Sequence, residues 1–250
     1  MEASIVVKNL TLVLPYFVQP EPKSDSWLGT LFGAATSVPR RRYATLLNNL
    51  NFTIREGERI ALIGRNGAGK STLLRVLAGS FQPTSGSVQI NGSRQALLSM
   101  GLGFNGEATV KENIYLRASA MGFDPKEVKN VVDTILEFAE LKEKANDRLH
   151  TLSSGQRMRL GFSISTSRQH DIMLLDEWFG TGDFRFVRKA RERMNSRADG
   201  SKIIVVASHN RKTLERTCNR GFVLEKGEIV FDGPVKEALE IYKHLPSMQE

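Results

Sequence analysis

Short apolar runs alternate with stretches of helical period along most of this chain. "SIVVKNLTLVL" and "LNFTI" read as early strands, the first interrupted in its apolar stretch at Lys8 and Asn9. "RIALIG" is a largely apolar strand running into a glycine loop. "KSTLLRVLAG" then has the helix period and ends at Gly79, the residue type that tolerates the left-handed turn closing a helix. "GSVQING" reads as a strand closed by an Asn-Gly turn. From about residue 111 to 168 the spacing becomes helical. "KENIYLRASAMG" is one helix, and a second starts at Asp124-Pro125, a cap followed by proline where a missing N–H costs nothing. "IMLLDE" and "KIIVVASH" read as buried strands, "RGFVLEKGEIVFDG" as a hairpin and "VKEALEIYKHL" as a closing amphipathic helix. This alternation predicts an α/β protein with a mainly parallel sheet.

Residues 15–42, "PYFVQPEPKSDSWLGTLFGAATSVPRRR", break the pattern. The segment holds four of the eight prolines, an apolar cluster of Trp27, Leu28, Leu31 and Phe32, and then Arg40, Arg41 and Arg42. It reads either as a solvated surface insertion or as a short amphipathic piece lying against a membrane protein or lipid headgroups, with arginines toward phosphates.

Composition narrows the class. A chain of 250 residues with 40% hydrophobic and 25% charged residues can bury a sizeable core. No apolar run approaches the roughly 18 residues that span a bilayer, and the amino terminus does not read as a secretory signal. A lone cysteine, Cys218, excludes an internal disulfide framework and fits a reducing compartment. The net charge of +8 favours anionic partners without choosing among them.

The candidate chemistry sits at strand ends. "GRNGAGKST" covers Gly64, Arg65, Asn66, Gly67, Ala68, Gly69, Lys70, Ser71 and Thr72, and fits the phosphate-loop pattern between a strand and a helix. Its glycines let successive N–H groups point at phosphates, Lys70 adds a point charge, and the Ser71 hydroxyl can ligate Mg²⁺. "IMLLDE" delivers Asp176 for the Mg²⁺ shell and Glu177 as a base toward attacking water. Paired acids at a strand end are also common on ordinary surfaces. "VVASHN" ends in His209, a candidate γ-phosphate contact, although most lone histidines are structural. A second anion-friendly place is "LSSGQRMRLGF", where Ser153, Ser154 and Gly155 stand at the start of a helical run.

Taken in order and spacing, the phosphate loop, "LSSGQ", "LLDE" and "ASH" resemble the nucleotide-binding subunits of ATP-binding cassette transporters from about residue 43 to 245. That resemblance implies one α/β domain over 1–250. It would have a RecA-like phosphate-loop core, an antiparallel β subdomain and a helical signature subdomain at about 96–170. It implies ATP and Mg²⁺ as cofactors, and a homodimer that sandwiches two ATP molecules head to tail. Ser153, Ser154, Gly155 and Gln156 of one chain would then hold the phosphate bound by Lys70 of the other. Asp183 falls on the dimer-contact aspartate, Tyr43 is the candidate adenine stack, and His209 is the switch histidine. Where the family has a glutamine that senses Mg²⁺, the nearest equivalent is Asn105, a side chain one methylene shorter with the same amide oxygen.

The segments "GFNGEATVKENIYLRASAMG" and "LEKGEIVFDGPVKEALEIY", with the insertion before Tyr43, resemble the ATPases of bacterial polysaccharide exporters serving capsule, O-antigen or teichoic acid. The resemblance implies a peripheral subunit on the cytoplasmic face of the inner membrane, partnered with a permease dimer that handles the glycan. A chain ending near residue 250 would carry no appended carbohydrate-binding domain. A small-molecule importer ATPase is the alternative. A cassette ATPase acting on nucleic acid usually has two cassettes or long coiled coils, so nucleic acid is not expected as a partner.

Overall fold

A computed structural model describes residues 2–18, 40–98, 103–176 and 184–245. Two sheets lie over one another. The first is antiparallel, with strand β1 (Ser4–Val18) between β2 (Arg40–Arg55) and β4 (Ser85–Asn91). The second has six strands in the order β5-β6-β7-β3-β8-β9: β5 (Arg94–Leu97), β6 (Ile172–Asp176), β7 (Ile203–Ala207), β3 (Arg59–Ile63), β8 (Arg220–Glu225) and β9 (Glu228–Pro234). All neighbours in it are parallel except the β8–β9 hairpin at the edge. The expected mainly parallel sheet is present, and β5 is a strand that the sequence pattern did not disclose.

Alternation along the central strands serves two cores. Ile60 and Leu62 of β3 face the antiparallel sheet and helix α1 (Lys70–Leu77), joining Ile5, Leu12, Leu47, Ile54, Leu73 and Phe222. Ala61 and Ile63 point the other way, toward α5 (Phe184–Asp199), α6 (Arg211–Thr217) and α7 (Val235–His244). Burial on both faces explains why β6 and β7 read as nearly unbroken apolar runs. A third core belongs to α2 (Val110–Ala120), α3 (Pro125–Ala139) and α4 (Ser154–Ser165). There Val110, Ile114 and Ala118 meet Val128, Val132, Leu160 and Ile164. The helical layer begins later than the sequence boundary near 96, because Ala96 and Leu97 pair with Leu174 and Leu175 in the parallel sheet.

The interruption at Lys8 and Asn9 is a bulge. The β1–β2 register shifts between Val7 and Leu10, Asn9 has a φ of 49°, and its N–H donates to Asn51 Oδ1 at 2.8 Å. The ends of the 15–42 segment are strand rather than loop: Pro15 pairs with Tyr43, Tyr16 with Arg42 and Phe17 with Arg41. Continued pairing carries the hairpin outward as an arm on which Tyr16, Phe17 and Tyr43 are exposed. The apolar cluster of Trp27, Leu28, Leu31 and Phe32 lies outside the described residues. Cys218 is buried, which pushes its thiol up to about 12 and leaves it no thiolate to react with.

Candidate active site

Parallel strands deliver their carboxyl ends to one edge of a sheet, and in this chain three of them converge. β3 ends at the phosphate loop, β6 at Asp176, and β7, lying between them, at Ser208 and His209. A cleft of about 630 Å³ opens there. Asn66, Gly67, Gly69, Lys70, Ser71, Thr72, Asp176, Ser208 and His209 line it, and Leu46 of β2 forms one wall.

The loop's shape follows from its glycines. Gly67 and Gly69 have φ of 81° and 107°, conformations that side chains resist. At Gly64 a Cβ would stand 2.5 Å from the carbonyl oxygen of Leu224, so only glycine lets β8 pack against the loop. Gly69 is the N-cap of α1 and contributes no side-chain cap, and no acidic residue occupies the first turn. The helix therefore presents bare N–H groups and its positive dipole end to the cleft. Lys70 is 8% exposed, and its Nζ donates to the carbonyls of Gly64 at 2.7 Å and Arg65 at 2.9 Å. These two neutral carbonyls hold the ammonium at the loop's rim.

Ser71 and Asp176 bring a hydroxyl and a carboxylate oxygen to the same cleft. Hard oxygen donors of this kind suit Mg²⁺, which keeps part of its shell for phosphate and water. Among the described residues no group of three or more His, Cys, Asp or Glu side chains could hold a metal alone. A second hollow of about 530 Å³ shares Asn66, Gly67 and His209 with the cleft; Arg65, Ala68, Glu225, Lys226 and Tyr242 also line it.

The signature segment is built differently and stands elsewhere. Ser153 caps α4: its Oγ accepts the N–H of Gln156 at 3.2 Å, while Gln156 Oε1 accepts the N–H of Ser153 at 2.9 Å. Leu149 and Leu152 anchor the segment in the helical core, each buried leucine stabilising by roughly 1.5–3 kcal/mol. Ser153, Ser154 and Gly155 remain exposed, and a Cβ at Gly155 would find only Ser153 Oγ at 4.0 Å. None of these residues lines the cleft that holds Lys70.

Tyr43 and Asn105 do not line the cleft. Tyr43 is 62% exposed on the hairpin arm, where the Arg41 guanidinium lies 5.1 Å from its ring centre; Leu46, three residues on, reaches the cleft instead. The sequence treated 15–42 as an insertion before Tyr43, whereas the ladder runs through Tyr43 and fixes it outward. Asn105 sits in the loop before α2, its Oδ1 accepting the N–H of Glu107 at 3.0 Å. Asn113, fully buried, clamps that loop by accepting from Asn105 N–H at 2.8 Å and donating to the carbonyls of Asn105, Ala108 and Thr109. Asn105 Oδ1 is thus engaged in a local turn, and Asn105 does not line the cleft of Lys70. Gln156 turns its amide oxygen back on Ser153, so it caps the helix. Glu177 and Asp183 lie outside the described residues.

The sequence model of the family described as "ABC transporter" matches residues 47–180. The chain belongs to the ABC transporter family. It is 38% identical over 203 residues to the O-antigen export system ATP-binding protein RfbB of Klebsiella pneumoniae, covering 81% of this chain and 82% of that one. Identity to the corresponding RfbE of Yersinia enterocolitica is 37%, over 90% of this chain and 96% of the relative. The teichoic acids export ATP-binding protein TagH of Lactococcus lactis is 34% identical over 96% of this chain and 51% of its own length. The fold matches a solved ATP-binding subunit of an ABC transporter with a TM-score of 0.67 at 21% identity, covering 96% and 95% of the two chains. It also matches a dimeric ATP-binding cassette in a post-hydrolysis state bound to ADP and phosphate, with a TM-score of 0.66 at 20% identity and coverage of 92% and 98%. Sequence and fold both place this chain among the cassette ATPases of the ABC family.

Proposed function

We propose that this ABC protein is the ATP-hydrolysing subunit of an exporter whose cargo is a cell-surface polysaccharide or lipid-linked glycan of the O-antigen or teichoic acid kind. The observation that carries the reading is the convergence of Lys70, Ser71, Asp176 and His209 on one cleft, with the signature helix start outside it. The names of the relatives support the cargo class.

In this reading the loop N–H groups and Lys70 bind the β- and γ-phosphates of ATP, and Ser71 and Asp176 hold Mg²⁺. The metal, when bound, neutralises charge on the phosphate oxygens. Glu177 accepts a proton from the attacking water, and His209 contacts the γ-phosphate from the end of β7. Ser154 and Gly155 of a partner copy close the site with their N–H groups, so each ATP is held by two chains. Among the described residues no helix is long and apolar enough to cross a membrane. The relatives' names, ATP-binding proteins of export systems, support a translocation path in a separate permease, against which this subunit sits at the cytoplasmic membrane face.

Purification of the tagged chain from native membranes tests the reading. A co-purifying integral membrane protein is expected, together with loss of surface glycan and retention of glycan inside cells that lack the chain. Intact surface glycan alongside a lost nutrient uptake would replace the exporter with an importer.

A further inference from the structure

The β8–β9 hairpin turn touches the phosphate loop from outside the cleft, through contacts that converge on one glycine. Lys226 and Gly227 both have positive φ, 48° and 82°, the pairing that a two-residue hairpin turn of the right twist requires. Gly227 donates its N–H to the carbonyl of Ala68 at 3.1 Å, inside the phosphate loop. Its own carbonyl accepts the N–H of Asn48 on β2 at 2.8 Å. The Asn48 side chain reaches further along the turn and donates Nδ2 to Glu228 Oε1 at 2.6 Å. β2, the turn and the phosphate loop are therefore joined in series.

The fit is close enough to exclude a side chain. A Cβ at Gly227 would lie 2.6 Å from the Leu46 carbonyl oxygen and 3.2 Å from Leu47 Cα. On the opposite side, a Cβ at Gly69 would lie 3.1 Å from that same Leu46 oxygen and 3.6 Å from Gly227 Cα. Two glycines, one opening α1 and one in the turn, thus close on the same stretch of β2. Lys70 follows immediately after Gly69.

We infer that the turn is a brace for the phosphate loop: Gly227 positions the Ala68–Lys70 backbone for nucleotide binding, and the Asn48–Glu228 hydrogen bond is the latch that holds the brace closed. Neither Asn48, Gly227 nor Glu228 lines the cleft of Lys70, so their action is on loop geometry and hence on affinity. The inference rests on the nucleotide reading of that cleft. Its energetic logic is that loop N–H groups bind phosphate well only when already aligned, so a loosened loop loses affinity to the cost of ordering. Bond making and breaking at the γ-phosphate is served by other strand ends.

Binding of a fluorescent ATP analogue to the purified full chain, with thermal melting and ATPase turnover on the same samples, tests this. Gly227→Ala introduces both the strained φ and the clash, and should weaken nucleotide binding by about tenfold or more. Asn48→Ala removes only the latch and adds no atom. It should weaken binding by about two- to fivefold, with turnover at saturating ATP within about threefold of wild type. Gly233→Ala is the control, since the atoms nearest its Cβ belong to the Phe231 ring, at 2.7 Å, in the same hairpin and not to the phosphate loop. It should change the melting temperature and leave affinity within about twofold. Should Gly227→Ala fail to fold, Asn48→Ala decides. Wild-type affinity in a folded Gly227→Ala or in Asn48→Ala overturns the brace, as does affinity that tracks melting temperature across all three variants. A wild-type chain that does not bind the analogue overturns the nucleotide reading instead.

Discussion

Ser153 and Gln156 cap one another at the start of the signature helix, hydroxyl to N–H at 3.2 Å and amide oxygen to N–H at 2.9 Å. The exchange uses one acceptor of each side chain, so the Ser153 O–H can still donate to a ligand beside the exposed N–H groups of Ser154 and Gly155. A phosphate approaching from a second chain would meet backbone donors and a helix dipole, with its positive side chain supplied by the partner's Lys70.

Mixing two inactive variants follows from this arrangement. Gly155→Asp places a carboxylate where the γ-phosphate should lie, and Lys70→Ala removes the loop's cation. In a mixed dimer one site carries both lesions and the other neither. ATPase activity of the mixture should exceed that of each variant alone. Confirmed heterodimers with no gain would mean that signature and loop act within one chain.

Glu177→Gln should separate binding from chemistry. Removing a general base costs about 10²- to 10⁴-fold in turnover, while the phosphate loop is untouched. ATP affinity should hold, and an ATP-bound dimer should accumulate on size-exclusion chromatography. Near wild-type hydrolysis would remove Glu177 from the mechanism.

Asn113 offers a stability test in the helical layer. Its side chain satisfies one N–H and three carbonyls of the 105–109 loop from a fully buried position. Asn113→Ala takes this partner from the Asn105 N–H and carbonyl, while the Ala108 and Thr109 carbonyls keep the N–H groups of Leu149 and of residue 113, and it should cost about 2 kcal/mol in urea denaturation. Asn113→Asp keeps the acceptor and loses the donor, and should not rescue. If the alanine variant were as stable as wild type, the clamp would be idle.

His170 predicts the pH dependence. It is 7% exposed, and among the described residues neither ring nitrogen has a hydrogen-bond partner. Burial holds its pKa below the usual 6.5, the nearby Arg168 and Arg197 push the same way, and Asp171 opposes them. The unfolded chain then binds a proton that the folded chain refuses. This contribution to stability is full above pH 6.5 and is lost as pH falls through 6.5 toward the depressed folded value. Melting at pH 7.5 and 5.5 should show the drop, and His170→Leu should flatten it. An unchanged slope in that variant would assign the acid sensitivity to other groups.

The sequence by itself determined the elements whose cause is local. A glycine-rich loop needs positive φ at Gly67 and Gly69 wherever it occurs, and Asp124-Pro125 and Ser153 start helices through their own N–H accounting. Central strands buried on both faces announce themselves as apolar runs, so the order of phosphate loop, signature, acid pair and histidine was legible, and with it the family. Other features depended on contacts between distant segments. The short strand β5, the arginine-rich α5, with its unfavourable polar composition, and the seven-residue α6 owe their form to what they pack against. Tyr43 lay near the expected spacing, but the ladder from Pro15 to Val18 carried it outward, and no local signal reports how far a hairpin continues. Gly227 read as an ordinary turn residue; its approach to Leu46 and Ala68 exists only because β8 and β2 are brought together across the fold. Tertiary structure alone also separated the two phosphate-friendly helix starts, because the signature helix packs in its own core while α1 grows from the end of β3.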